Sequence, residues 1–166
     1  MIGKTGSGLA DGGGGNTPNV TATNGTAAPI TGTITVTQAN GGCTSTPTSF
    51  TITVNPTATV NVVANQTLCV GASTTAVTFT SPTVGTVFTW TNSDPSIGLG
   101  ASGIGNIPSF VTVNPTLFPI TATITVTPSS VFGGVSCVGT PRTFTITVNP
   151  GANIIATNVP IRVCLT

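Results

Sequence analysis

The residues able to do chemistry are few. The chain has no His, no Glu and no Tyr. Its acids are Asp11 and Asp94, its bases are Lys4, Arg142 and Arg162, and its thiols are Cys43, Cys69, Cys137 and Cys164. General acid–base catalysis needs titratable groups within hydrogen-bond reach of the reacting atoms, and two Asp residues 83 positions apart are a thin supply. A metal site draws on His, Cys or several carboxylates, yet no two cysteines are spaced Cys-x-x-Cys. Charged residues make up 3% of the 166, against roughly a quarter of an average soluble domain. A net charge of +1 provides no basic face for nucleic acid. The composition therefore argues against an enzyme, a metal centre, a bound cofactor and a nucleic-acid partner. No apolar run approaches the ~20 residues that cross a bilayer, so direct membrane insertion is not expected either.

The remaining motifs have plainer readings. Gly3-Lys4-Thr5 matches only the end of a phosphate-binding loop, without the preceding strand or the following helix. Gly12–Gly15 reads as a variant loop. Asp94 before Pro95 suits a turn better than calcium, which takes six to eight oxygens. Asn19-Val20-Thr21, Asn24-Gly25-Thr26 and Asn65-Gln66-Thr67 fit the glycosylation pattern, but such triplets arise by chance in a chain with 37 Thr. Trp90, Phe79, Phe88 and Phe110 could stack on a sugar. With one Trp and seven Phe in the whole chain, core duty is the expectation, with Trp90 as the core anchor.

Alternation dominates the elements that would hold these residues. Thr33-Ile34-Thr35-Val36-Thr37, Phe50-Thr51-Ile52-Thr53-Val54, Thr121-Ala122-Thr123-Ile124-Thr125-Val126-Thr127 and Phe144-Thr145-Ile146-Thr147-Val148 all read polar–apolar at period two. Successive strand side chains point to opposite faces, so the aliphatics line a core and the threonines face water. Threonine suits the outer face, being β-branched and polar. Helical spacing is nearly absent, and the short strands between turn clusters predict an all-β sandwich.

The chain also repeats. Residues 16–24 align with 106–114 and residues 33–37 with 123–127, both at an offset of 90. Phe50-to-Pro56 aligns with Phe144-to-Pro150, and Cys43 with Cys137, at 94; Cys69 aligns with Cys164 at 95. Four extra residues in the loop 128–141 account for the change. Repeats of this length are whole domains. The expected division is 1–56, the back of a preceding repeat; 57–150, a complete repeat; and 151–166, the first strand of a following one. Seven strands are expected in the complete repeat, at 60–70, 76–80, 87–92, 97–101, 110–114, 120–127 and 143–148. Either the chain is a fragment, with any export signal outside it, or its missing strands come from a neighbouring molecule.

Asn65-Gln66-Thr67-Leu68-Cys69-Val70-Gly71, Phe88-Thr89-Trp90-Thr91-Asn92, Pro95-Ser96-Ile97-Gly98-Leu99, Ala122-to-Pro128 and Cys137-Val138-Gly139-Thr140-Pro141 occur in this order. The set resembles the PKD-like, immunoglobulin-like tandem repeats of giant surface adhesins that gliding bacteria export by type IX secretion. Residues 1–6 depart from the pattern at Thr91–Ser96. The resemblance implies an extracellular, cell-surface location and a structural role in an adhesin or filament. It implies no catalytic residues. The partners expected are neighbouring copies or repeats, with surface glycans or proteins as further candidates. An alternative is a ligand-binding module that uses the 128–141 loop.

In such a setting four cysteines read as disulfide candidates. Two pairings stay open: Cys69 with Cys137 inside the complete repeat, or each with a cysteine of an adjacent repeat.

Overall fold

A computed structural model describes residues 21–40 and 42–151. The described chain is all-β, with one 3-10 turn at Pro95–Ile97. No helix among the described residues is long and apolar enough to cross a membrane. The strands are β1 (Ile30–Val36), β2 (Ala39–Asn40), β3 (Cys43–Thr44), β4 (Thr48–Val54), β5 (Gln66–Cys69), β6 (Val87–Asn92), β7 (Ser102–Ile104), β8 (Ile120–Phe132), β9 (Val135–Val138) and β10 (Arg142–Asn149).

β1 and β4 form an antiparallel hairpin from Ile30↔Val54 to Val36↔Thr48, with the short β2–β3 pair between them. The later strands form one sheet in the order β5-β10-β8-β6-β7, and β9 folds back onto the far end of β8. β5 is the exception to antiparallel pairing. It runs parallel to β10, with Gln66 opposite Ile146 and Cys69 opposite Asn149.

Alternation sorts the side chains. Phe144, Ile146 and Val148 of β10 are buried, as are Ala122, Ile124 and Val126 of β8 and Phe88 and Trp90 of β6. Each large apolar side chain so buried stabilises the fold by about 1.5–3 kcal/mol. A second layer of extended segments supplies the rest of the core through Val60, Val77, Phe79 and Ile107. Its strands are tied by Asn61 N–H to Thr80 O, by the mutual bonds of Val77 and Ile107, and by Thr112 N–H to Ala72 O. The Phe79 ring lies 5.6 Å from Phe88 and 6.4 Å from Phe144, joining the two layers in a sandwich-like core.

The expected strands were correct in kind more often than in extent. The single strand expected at 60–70 divides. Asn61 bonds to the second layer, and β5 begins only at Gln66. The segments expected at 76–80 and 110–114 are extended but make only isolated bridges, Val77↔Ile107 and Ser73↔Val111. In place of the strand expected at 97–101 stand the 3-10 turn and then β7. The strand expected to stop at Thr127 continues through Pro128 to Phe132. A residue's N–H and C=O point to the same side of a strand, and Pro128 O accepts from Gly139 N–H at 2.8 Å. That side of β8 is the gap between Val126, the last partner of β10, and Ser129, the first partner of β9. The missing proline donor therefore interrupts no ladder bond.

Candidate functional site

The chemistry-bearing side chains do not converge. Among the described residues, no three of His, Cys, Asp or Glu come together. Asp94 is engaged in local structure. Its Oδ1 accepts from Ser96 N–H at 3.1 Å and Ser96 Oγ at 2.6 Å, capping the 3-10 turn, while its own N–H donates to Asn92 Oδ1 at 3.0 Å. Asn92 is buried and donates to Leu99 O at 3.0 Å, which fixes the loop beyond the turn. Lys4, Asp11, Arg162, Cys164, the Gly3-Lys4-Thr5 motif, Gly12–Gly15 and the Asn19 triplet lie outside the described residues.

Trp90 is buried in the core cluster, against Gly103 of β7. A Cβ at Gly103 would overlap the indole ring, so glycine is required there by the close approach. The Trp90 Nε1 is buried without a hydrogen-bond partner. A ring held this way offers no face to a sugar. Phe79 and Phe88 are buried beside it, and Phe110 is half-buried.

Cys43, Cys69 and Cys137 are free thiols, so the disulfides expected from sequence are not present among the described residues. Geometry excludes the Cys69–Cys137 pair. Cys69 lies opposite Asn149, next to the Val148↔Ile120 pair, whereas Cys137 lies opposite Ser130. Ten strand positions separate those levels on β8, about 33 Å, whereas a disulfide needs Cα atoms within about 7 Å.

One hydrogen-bond set occurs twice. Asn114 Nδ2 donates to Phe118 O at 2.9 Å and Val148 O at 2.8 Å, while its Oδ1 accepts from Thr116 N–H and Thr116 Oγ1, both at 2.8 Å. Ninety residues earlier, Asn24 Nδ2 donates to Ala28 O at 2.9 Å and Val54 O at 2.7 Å, and its Oδ1 accepts from Thr26 N–H at 2.9 Å and Thr26 Oγ1 at 2.8 Å. Each Asn clasps a turn to the end of a strand, β4 for Asn24 and β10 for Asn114. The Thr31–Thr53 hydroxyl pair likewise recurs as Thr121–Thr147, both at 3.0 Å. Sequence reasoning missed this clasp, although Asn24-x-Thr26 and Asn114-x-Thr116 stood in register at the offset already found. The engaged Asn24 amide also argues against its triplet as a sugar acceptor, and Asn65 Oδ1 is used by Thr145 N–H at 2.9 Å.

The 128–141 segment is a hairpin, not an open loop, and it faces the β1–β4 hairpin. Phe132 O accepts from Asn55 Nδ2 at 3.5 Å, and an open groove is lined by Pro29, Thr53, Asn55, Phe132, Gly133 and Val135. Beside it, Val84 N–H donates to Ala27 O at 3.2 Å and Thr83 Oγ1 to Thr57 O at 3.2 Å. Pro56 and Ala58 are buried, and Gly139 packs so closely on Ala58 that a Cβ would overlap its carbonyl.

The β1–β4 hairpin differs from its counterpart in cover. Phe50 is 48% exposed where Phe144 is 3%, and Val36 is 51% exposed where Val126 is 1%. The chain matches no protein-family model, no curated protein and no solved structure.

Proposed function

We propose that the chain is a stretch of tandem immunoglobulin-like, PKD-like β-sandwich units acting as a rigid spacer in an extracellular adhesin or filament, and that it is not an enzyme. The observation that carries the reading is the parallel β5–β10 pair. The chain enters the complete unit at the end that carries the 128–141 hairpin and leaves it at Pro150, at the opposite end. Tension between neighbouring units therefore pulls β5 and β10 in opposite directions along their length. Their bonds are loaded together in shear and do not open one at a time, which suits a link that carries force. The strand order, with Trp90 buried on β6 beside β8, supports an immunoglobulin-like topology. The recurring Asn clasp supports successive units of one kind.

The competing reading, ligand binding by 128–141, has exposed Val131, Val135 and Val138 in its favour. Against it, that hairpin abuts the preceding unit, and its one aromatic, Phe132, is half-buried. The exposed Leu117 and Phe118 align with Ala27 and Ala28, the turn that meets Val84 at the joint. They therefore suit contact with a following unit.

Single-molecule extension tests the spacer reading. Residues 57–150 should unfold in one cooperative event that releases about 30 nm of chain. Thr67→Pro and Leu68→Pro, one of which removes a ladder donor from β5, should cut the peak force by half or more while Trp90 emission stays that of a buried indole. Unchanged force in both variants would refute the shear mechanism. Saturable glycan binding lost on altering 131–138 would favour the competing reading.

A further inference from the structure

We infer that Asn24 is a self-modification site: it closes a cyclic imide with the Gly25 amide, opens to isoaspartate and aspartate, and so releases the turn at 24–28 from β4 and from the sandwich. The inference goes beyond the spacer reading and does not rest on it.

The Asn24-Gly25 dipeptide supplies both reacting groups. Asn24 is half-buried, Gly25 is exposed, and a Cβ built on Gly25 would meet nothing within 4 Å. With no side chain in the way, water and base reach the Gly25 N–H. The Asn24 side chain is already folded back along the chain. Its Oδ1 accepts from Thr26 N–H at 2.9 Å, which closes a ring containing both Asn24 Cγ and Gly25 N. Holding nucleophile and carbonyl in one small ring removes much of the entropic cost of their meeting. Thr26 Oγ1 donates to the same oxygen at 2.8 Å. The two donors sit where negative charge develops as Cγ becomes tetrahedral, the arrangement of an oxyanion hole.

The reaction needs only water. Gly25 N gives its proton to solvent base and bonds to Asn24 Cγ. The Cγ–Nδ2 bond breaks, and Nδ2 takes up a proton and leaves as ammonia. One water then opens the imide. Attack at the Asn24 backbone carbonyl leaves the chain running through Cγ, as isoaspartate; attack at Cγ leaves aspartate. No electrons change hands.

The counterpart clasp is closed to this chemistry. Asn114 makes the same four bonds, but the next residue is Pro115, which has no N–H to attack with. Asn55 and Asn149 likewise precede proline. Conversion at Asn24 has a structural consequence. Asn24 Nδ2 donates to Ala28 O at 2.9 Å and Val54 O at 2.7 Å, whereas a carboxylate has no donor and would face both carbonyls. The turn so freed is the one that meets the sandwich. Ala27 O accepts from Val84 N–H at 3.2 Å, and Asn24 and Thr26 share a groove with Thr57 and Pro82.

The test uses the full chain with Asn40→Gln, since Asn40-Gly41 shares the dipeptide. The protein is incubated in mildly alkaline buffer and sampled over time. Tandem mass spectrometry locates each site that gains one mass unit, and amide exchange is followed at Thr26 and Val84. Asn24 should convert, with isoaspartate the larger product, which direct hydrolysis of the side-chain amide cannot make. Asn114 should stay intact. Exchange at Thr26 and Val84 should rise at least tenfold in the converted protein, while Trp90 emission stays that of a buried indole. Gly25→Pro should stop the conversion and keep the clasp, because the same bonds form around Pro115. Pro115→Gly should bring the conversion to Asn114. The inference is overturned by an intact Asn24, by aspartate without isoaspartate, by conversion that survives Gly25→Pro, or by an unreactive Asn114 in Pro115→Gly. Conversion that leaves exchange at Thr26 and Val84 unchanged rejects the release of the turn.

Discussion

Asn114→Ala removes a side chain that holds three pieces of backbone together. Four hydrogen bonds are lost, to Phe118 O, Val148 O, Thr116 N–H and Thr116 Oγ1. Water replaces the partners of the exposed three at little net cost. The bond to Val148 O is part-buried and reaches across 34 residues to the end of β10. Leaving that carbonyl short of a donor costs about 1–2 kcal/mol, and loosening the turn adds about 1 kcal/mol. A total of about 2–3 kcal/mol lowers the melting temperature of a sandwich this size by about 8–24 °C. Asn114→Asp separates the two functions of the side chain, keeping both acceptors and losing both donors. The introduced carboxylate faces two carbonyl oxygens, so its folded pKa is raised above the unfolded value. Stability linked to a raised acid pKa is present at low pH and lost as pH rises through the folded value. The Asp variant should therefore recover part of its deficit on acidification below about pH 4, where the Ala variant should not. Thermal unfolding followed by Trp90 fluorescence reads both. If both variants melt within about 3 °C of the parent at pH 7, the clasp is ornamental and the reasoning fails. Asn24→Ala, the same change in the uncovered hairpin, should leave the Trp90 transition in place and accelerate amide exchange at Thr26.

The counterpart aromatics should behave oppositely in urea unfolding at concentrations that keep the chain monomeric. Phe144→Ala empties a core site and should cost about 3–5 kcal/mol, whereas the half-exposed Phe50→Ala should cost less than about 1.5 kcal/mol. Equal costs would mean that the Phe50 face is covered in solution. Gly103→Ala drives a methyl into the Trp90 ring and should cost about 1–3 kcal/mol with a red shift of indole emission; an unshifted spectrum would show that the sheet edge yields instead.

Much of the fold was legible because threonine and aliphatics alternate without interruption in β8 and β10, and a period of two has one structural meaning. Legibility failed where side chains replace ladder bonds. Phe110 N–H donates to Thr74 Oγ1 at 3.1 Å, Ser109 Oγ donates to Thr74 O at 2.6 Å, and Phe79 N–H donates to Asn106 Oδ1 at 2.9 Å. Sequence cannot distinguish a hydroxyl facing water from one standing in for a backbone partner. The switch of layer between Val60 and β5 was hidden for another reason. Val62 and Val63 are consecutive, so the alternation that marks a face is broken where the chain crosses over, and Gln66 fixes the new course by bonding Thr75 through both amide atoms. The packing of Gly139 on the Ala58 backbone was hidden as well, since it joins residues 81 positions apart.

The scarcity of charge bears on the edge of β4 that has no partner among the described residues. Soluble proteins guard exposed strands with Lys, Pro, bulges or short length. Thr48–Val54 has none of these: seven residues, Thr-Ser-Phe-Thr-Ile-Thr-Val, without charge or proline and with strong β propensity. Such a segment is a hazard if it stays unpaired. Backbone bonds alone would accept any strand, in either direction and in any register. What can select one strand is the set of side chains beside the backbone, since a slip of one residue turns every aliphatic to the wrong face.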